Sequence, residues 1–245
     1  MDRSLSGIKQ YLFDIIDATT DLCVAYKLNM AFYERYGSKG YKLMEDTVDY
    51  INGRNITIAD GKRGDIGNTS NHYANESFKR YMADACTVNP YMGSDSIEPF
   101  LKWKDKGIFV ICRTSNPSSL EIQDLTLNSG EKVFEKIALL SQKKWNKNNQ
   151  VGLVVGATAS KELELIKKKF PALPLLIPGI GSQGGSLEEV KKILNHSNAP
   201  DLNKNKTNNF LITISRTIIY SSNKNNDWED SVIETASKFN SQINY

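Results

Sequence analysis

Asn55-Ile56-Thr57-Ile58-Ala59-Asp60-Gly61-Lys62-Arg63-Gly64-Asp65 joins a short apolar, β-branched run to four charges of both signs within six residues. The run has the length and composition of a buried strand, and the charges follow at its carboxyl end. In an extended strand, side chains at i and i+2 share a face, so Asp60 and Lys62 are expected to project together while Gly61 points oppositely. A carboxylate and an ammonium then stand side by side. For a charge cluster taken alone, a solvated turn is the simpler account, and the surrounding chain decides between the two.

Outward from this stretch, short apolar runs alternate with helix-length amphipathic segments along the entire chain, the pattern of a parallel α/β architecture. Strands are expected at Leu22 to Met30, Asn55 to Asp60, Asp84 to Asn89, Gly107 to Arg113, Val151 to Gly156, Leu173 to Ile177 and Phe210 to Ser215. Helices are expected near 4–20, 38–52, 68–83, 94–105, 130–146, 159–169, 185–195 and 228–242. Strict alternation over 245 residues fits a single (β/α)8 TIM-barrel domain, a fold of about 250 residues, apparently lacking its first β-strand at the N-terminus. In such barrels the active site lies at the carboxyl ends of the strands. Lys27 and Asn29, Asp60 to Asp65, Asn89, Arg113 to Asn116, Pro178 to Gly185 and Ser215-Arg216 occupy those ends.

Composition narrows the function classes. With 40% apolar residues the chain can bury a sizeable core. A net charge of +3 from 31 basic and 28 acidic residues, without a basic stripe, argues against a nucleic-acid platform. Cys23, Cys86 and Cys112 are widely spaced in or beside apolar runs and read as buried free thiols, which suits a reducing cytoplasm. No apolar stretch approaches the roughly 20 residues of a membrane span. Two histidines and no CxxC pair leave few ligands for a zinc site. The Asn/Lys-rich stretches at 146–149, 203–206 and 223–226 read as solvated loops.

Three local patterns bear on chemistry. Lys27 interrupts the apolar run Val24 to Met30, and a charge inside a central strand needs a partner. Asp60 of the adjacent strand is the natural one; the alternative is a lysine reaching solvent at the strand end. Pro178-Gly179-Ile180-Gly181-Ser182-Gln183-Gly184-Gly185 follows a strand and opens a helix, so its backbone amides and the helix dipole are placed to cradle an anion. The same glycines spell GxGxxG, but a dinucleotide site also needs an acidic residue ending the next strand, and Asp201 sits in a stretch without strand character. A tight turn alone is the third account of these glycines. Ser215-Arg216, ending the last run, places a guanidinium near that loop for phosphate recognition, or serves a surface ion pair. His72 and His196 read as capping or surface residues.

The segments Tyr26 to Asn29, Asp60 to Thr69, Thr87 to Gly93, Cys112 to Pro117, Val154 to Thr158 and Ile177 to Gly185, in this order, resemble orotidine 5′-phosphate decarboxylase, specifically the longer (type 2) form of many bacteria and some protists. The likeness runs from about Leu12 to the C-terminus. It implies a decarboxylation of orotidine 5′-phosphate to uridine 5′-phosphate that uses neither metal nor cofactor, carried out by a cytoplasmic homodimer in pyrimidine biosynthesis. An alternating array maps onto Lys27, Asp60, Lys62 and, from a second subunit, Asp65, with Lys62 protonating the C6 carbanion. Residue by residue, the resemblance assigns Lys27 and Asn29 to the ribose hydroxyls and Ser115 to the pyrimidine edge. Ile66 and Thr69 contact the same ligand from across the dimer, and Pro178, Gln183 and Arg216, preceded by Ser215, close on base and phosphate.

Two departures stand out. The family's opening strand with a Gly-Leu-Asp-Pro-like segment has no counterpart before the helix at about residue 4, and Thr217 replaces the expected glycine or alanine. A barrel missing one strand leaves two unpaired edges, so the chain is expected either to begin upstream of Met1 or to be a truncated copy. A catalytically impaired nucleotide-binding relic is therefore the alternative function. A keto-sugar-phosphate decarboxylase of similar architecture is the third, and the Thr114-Ser115-Asn116 motif speaks against it.

Overall fold

A computed structural model describes residues 4–196, 209–222 and 228–243. Asp201 and the Asn/Lys-rich stretches at 203–206 and 223–226 fall outside the described residues. Among the described residues seven strands are present: β1 (Ala25–Asn29), β2 (Ile56–Arg63), β3 (Ala85–Val88), β4 (Gly107–Arg113), β5 (Val151–Val155), β6 (Leu175–Pro178) and β7 (Phe210–Thr213). They form one sheet in the order β1-β2-β3-β4-β5-β6-β7. The β1–β2, β4–β5, β5–β6 and β6–β7 pairings are parallel, with helices in every connection. Each strand follows its sequence neighbour without reversal. A doubly wound dinucleotide fold needs a switch point where strand order reverses, so this order removes the structural basis of the GxGxxG reading.

The helices are α1 (Leu5–Thr19), α2 (Met30–Glu34), α3 (Gly37–Ile51), α4 (Gly67–Asn75), α5 (Ser94–Leu101), α6 (Val133–Leu140), α7 (Ser160–Lys169), α8 (Leu187–His196), α9 (Arg216–Ile219) and α10 (Trp228–Ile243). The described residues divide into two compact units: 4–61, 72–86, 215–222 and 228–243 form the first, and 62–71, 87–196 and 209–214 the second. In the first, α1 is capped by Ser4, whose Oγ accepts from Gly7 N at 3.1 Å, and its apolar side buries Ile15 and Ile16. Phe13 of α1 stacks on Tyr50 of α3 with ring centroids 3.8 Å apart. Leu28 and Ile58 of the strands and Met44, Val48 and Ile51 of α3 are buried in this core. In the second unit, Val110, Leu153, Val155, Leu175 and Ile177 of the strands are fully buried, as are Ile97, Phe100, Leu163, Ile166 and Val190 of its helices. These near-continuous apolar strands are what a parallel sheet covered by helices requires.

Several boundaries differ from the sequence expectation. The first strand starts at Ala25 rather than Leu22, and Met30 opens α2 because the Asn29 side chain caps it, accepting from Ala31 N at 3.3 Å. The expected helices at 68–83 and 130–146 each end in a π-turn, over Glu76–Arg80 and Ser141–Trp145. Tyr81 N bonds Glu76 O, and Asn146 N bonds Ser141 O, each five residues back. The last strand ends at Thr213, so Ser215-Arg216 enters α9 instead of closing the strand. Cys86 and Cys112 are buried as expected, but Cys23 is only partly covered, since it precedes β1 in a turn beside the exposed Val24.

Gly40 marks a close approach of backbone to backbone, because a Cβ there would stand 1.8 Å from the Tyr33 carbonyl oxygen. Gly40→Ala should lower the denaturant midpoint by an amount equivalent to about 1–3 kcal/mol. Burial raises the pKa of the Cys86 and Cys112 thiols above the ordinary range. In a thiol-reagent assay at neutral pH both should stay unmodified in the folded protein and react only after denaturant is added, with Cys23 reacting first.

Candidate active site

In the first unit, β1 and β2 pair with Asn29 opposite Asp60 and Lys27 opposite Ile58. Alternation puts Lys27 and Asn29 on one face of β1 and Ile58 and Asp60 on the same face of β2, so Lys27 and Asp60 are diagonal neighbours. Lys27 Nζ donates to Asp60 Oδ2 at 2.5 Å. The side chains are 16% and 5% exposed, so the pair is largely withdrawn from water and each charge offsets the other's desolvation. The partner expected for Lys27 is therefore the one found. Asn29, the last residue of β1, is half-buried. Ser215 and Arg216 are exposed at the start of α9.

Lys62 breaks the extended geometry assumed for the Asp60-Gly61-Lys62 stretch. Its φ is 49°, a left-handed conformation that costs a non-glycine residue about 1–2 kcal/mol. Along this stretch Asp60 is buried and Lys62 exposed. In the second unit, the Lys62 amide donates to Thr87 Oγ1 at 2.9 Å, and Arg63 O accepts from Asn89 N at 2.7 Å. These bonds hold the strained backbone in place, the condition under which such strain persists at functional sites. Beyond it, Asp65 Oδ1 accepts from Ile66 N at 2.7 Å. Ile66 and Thr69 are exposed on the entry to α4.

Also in the second unit, Ser115 and Gln183 meet although 68 residues separate them, with Ser115 Oγ donating to Gln183 Oε1 at 3.1 Å. Ser115 O accepts from Thr158 Oγ1 at 3.0 Å. Gly156 lies against Ser115 so closely that a Cβ would be 2.8 Å from the serine Cβ and amide nitrogen. The glycine loop starts at Pro178, the end of β6, whose carbonyl accepts from Ala157 N at 2.8 Å. Gly179, Gly181 and Gly184 have φ of 107°, 76° and 90°, which favours glycine at each. The amides of Gly181, Gly184 and Gly185 donate to Gly185 O, Gly181 O and Gly179 O. Those three amides are committed to closing the loop on itself, and Ser182 and Gln183 are exposed on it.

The sequence reading missed Gln123, whose Oε1 accepts from Thr114 N at 2.8 Å, and Thr158 as a support of Ser115. Gln123 lies nine residues on in the same connection as Thr114, a spacing that no regular element sets, and Thr158 follows β5 whereas Ser115 follows β4. Among the described residues no group of His, Cys, Asp and Glu side chains is arranged to hold a metal ion, and no helix is long and apolar enough to cross a membrane.

Parallel strands in consecutive order, with ionisable and amide side chains at their carboxyl ends, define the class of (β/α) barrel enzymes. Residues 7–230 match the Orotidine 5′-phosphate decarboxylase / HUMPS family, and the chain belongs to this family. The orotidine 5′-phosphate decarboxylase of Herpetosiphon aurantiacus is 45% identical over 222 residues, covering 91% of this chain and 79% of that protein. The solved structure of Leishmania donovani OMP decarboxylase is 31% identical with a TM-score of 0.83, covering all of this chain and 90% of that one. Leishmania donovani UMP synthase is 32% identical with a TM-score of 0.88, and this chain spans only 51% of its length. The TIM-barrel class expected from the sequence is thereby the observed one.

Removing one member of a buried pair leaves the other charge without compensation. Asp60→Ala should therefore destabilise the fold by on the order of 3 kcal/mol in denaturant titration, and Lys27→Met combined with Asp60→Leu should recover most of that loss.

Proposed function

We propose that this chain decarboxylates orotidine 5′-phosphate to uridine 5′-phosphate and CO2 in pyrimidine biosynthesis, working in the cytoplasm as one decarboxylase domain. The observation that carries this reading is the buried Lys27–Asp60 pair, followed two residues after Asp60 in β2 by Lys62, within a chain of the decarboxylase family. Breaking the bond between C6 and the carboxyl group releases CO2 and leaves an electron pair on C6. Lys62 protonates that carbon as the general acid. Its ammonium also stabilises the developing carbanion before transfer, and a preorganised charge needs no reorganisation at that moment. Asp60 holds Lys27 by direct bonding, and Asp65 completes the alternating array from a second copy of the chain.

Substrate binding in this reading uses Lys27 and Asn29 for the ribose, Ser115 and Gln183 for the pyrimidine, and Pro178, Gln183 and Ser215-Arg216 toward the phosphate. The Ser115–Gln183 bond supports assigning these two side chains to one ring edge. Remote phosphate binding contributes by ordering the reacting group. A second copy of the chain supplies Asp65, Ile66 and Thr69, an arrangement that suits the exposure of Ile66 and Thr69.

Lys62→Ala should lower kcat by at least about 10²–10⁴-fold in a decarboxylation assay while calorimetry still detects uridine 5′-phosphate binding. An active variant overturns the role of Lys62. Wild-type protein that binds the nucleotide without turnover supports the relic instead. Mixing inactive Lys62→Ala and Asp65→Ala chains should restore activity to about a quarter of wild type, the share of intact shared sites after random pairing.

A further inference from the structure

Arg113 is the last residue of β4, and the register of β4 against β5 shifts between Ile111 and Arg113. Such an irregularity re-aims the side chain at a strand end. The Arg113 side chain is only 6% exposed, and its guanidinium sits among acceptors contributed by three segments. Nη1 donates to Thr114 O at 3.0 Å and to Ser119 Oγ. Nε faces Asp124 Oδ1 at 3.5 Å, and Nη2 faces Glu162 Oε1 of α7 at 3.6 Å. Lys132 Nζ, 2.7 Å from Asp124 Oδ2, supplies the second positive charge that balances the two carboxylates.

All of these contacts converge on the loop that carries Ser115. Ser119 passes the restraint on, since its Oγ donates to Asn116 O at 2.6 Å. Gln123 also holds Thr114, its Oε1 accepting from Thr114 N at 2.8 Å. Thr114 and Asn116, which flank Ser115, are thus tied to one buried cation, directly and through Ser119. An arginine's planar fork meets several acceptors in fixed directions, which a lysine in the same place does not.

We propose that Arg113 is a positioning residue for recognition of the pyrimidine ring: flanked by Asp124 and Glu162 and bonded to Thr114 O and Ser119 Oγ, it fixes the Thr114-Ser115-Asn116 loop so that Ser115 and Gln183 present one rigid edge to the base. The proposal rests on the assignment of Ser115 and Gln183 to that edge. It gives a function to a buried charge that takes no part in the chemistry.

The test compares uridine 5′-phosphate with ribose 5-phosphate, which keeps the phosphate and sugar and lacks the base, by calorimetry on wild type, Arg113→Lys and Ser119→Ala. Kinetics with orotidine 5′-phosphate accompany it, and circular dichroism checks folding. A loosened ring edge should raise the nucleotide's Kd and the substrate's KM roughly 10-fold or more, leave kcat nearly unchanged, and leave ribose 5-phosphate binding as in wild type. Equal weakening of both ligands, or unchanged nucleotide affinity in folded Arg113→Lys, overturns the proposal. Where Arg113→Lys does not fold, Ser119→Ala decides by the same criteria. Failure of wild type to bind uridine 5′-phosphate is a separate result that removes the underlying functional reading as well.

Discussion

A lysine in the middle of an apolar parallel strand has two ways to remain charged, and this protein uses pairing. The Lys27–Asp60 bond joins β1 to β2 on the diagonal set by their register. A one-residue slip in that register would turn Asp60 to the opposite face. It would leave Lys27 beside the wrong neighbour, with an uncompensated charge in a low-dielectric setting. The ion pair therefore selects one alignment of the two strands. That alignment sets Asn29, the last residue of β1, level with Asp60 of β2. Strand register and the pairing of two buried charges depend on the same contact.

The second unit solves a related problem by other means. Ser115 is placed by close packing and by a buried ionic cluster rather than by strand pairing. Gly156 lets the serine backbone come within contact distance, Thr158 bonds its carbonyl, and Arg113 restrains the residues on either side. The glycine loop after β6 holds itself closed with three internal amide bonds, so Gln183 projects from a defined frame. Lys62, with its left-handed backbone, adds a strained residue fastened by Thr87. Rigid support around polar side chains is what preorganisation requires.

Much of this was legible in the chain. The seven strands were readable because buried parallel strands leave continuous apolar runs such as Val151 to Val155, whose burial is complete. The Lys27–Asp60 pair was readable because an isolated charge in an apolar run calls for a partner and the next strand offers one. What escaped was local and non-periodic. The π-turns at Glu76–Arg80 and Ser141–Trp145 insert one residue into otherwise regular helices, and hydrophobic spacing does not register a single insertion. The left-handed turn at Lys62 escaped because lysine, unlike glycine, carries no conformational signal. Arg113 looked like one more polar residue at a strand end until the β4 irregularity and its carboxylate partners were seen.

The amino-acid sequence by itself determined the order of strands and helices, the placement of polar groups at strand ends and the need for a partner at Lys27. Each follows from hydrophobic periodicity or from the cost of an unpaired buried charge, which act over short stretches of chain. Only the tertiary structure decided that Ser115 meets Gln183, that Glu162 and Asp124 flank Arg113, and that the glycine loop turns its amides inward. Those contacts join residues up to 68 positions apart, and distance along the chain carries no information about them. The long-range ones exist because the parallel sheet brings the carboxyl ends of β4, β5 and β6 together, a constraint that acts only once the sheet has formed.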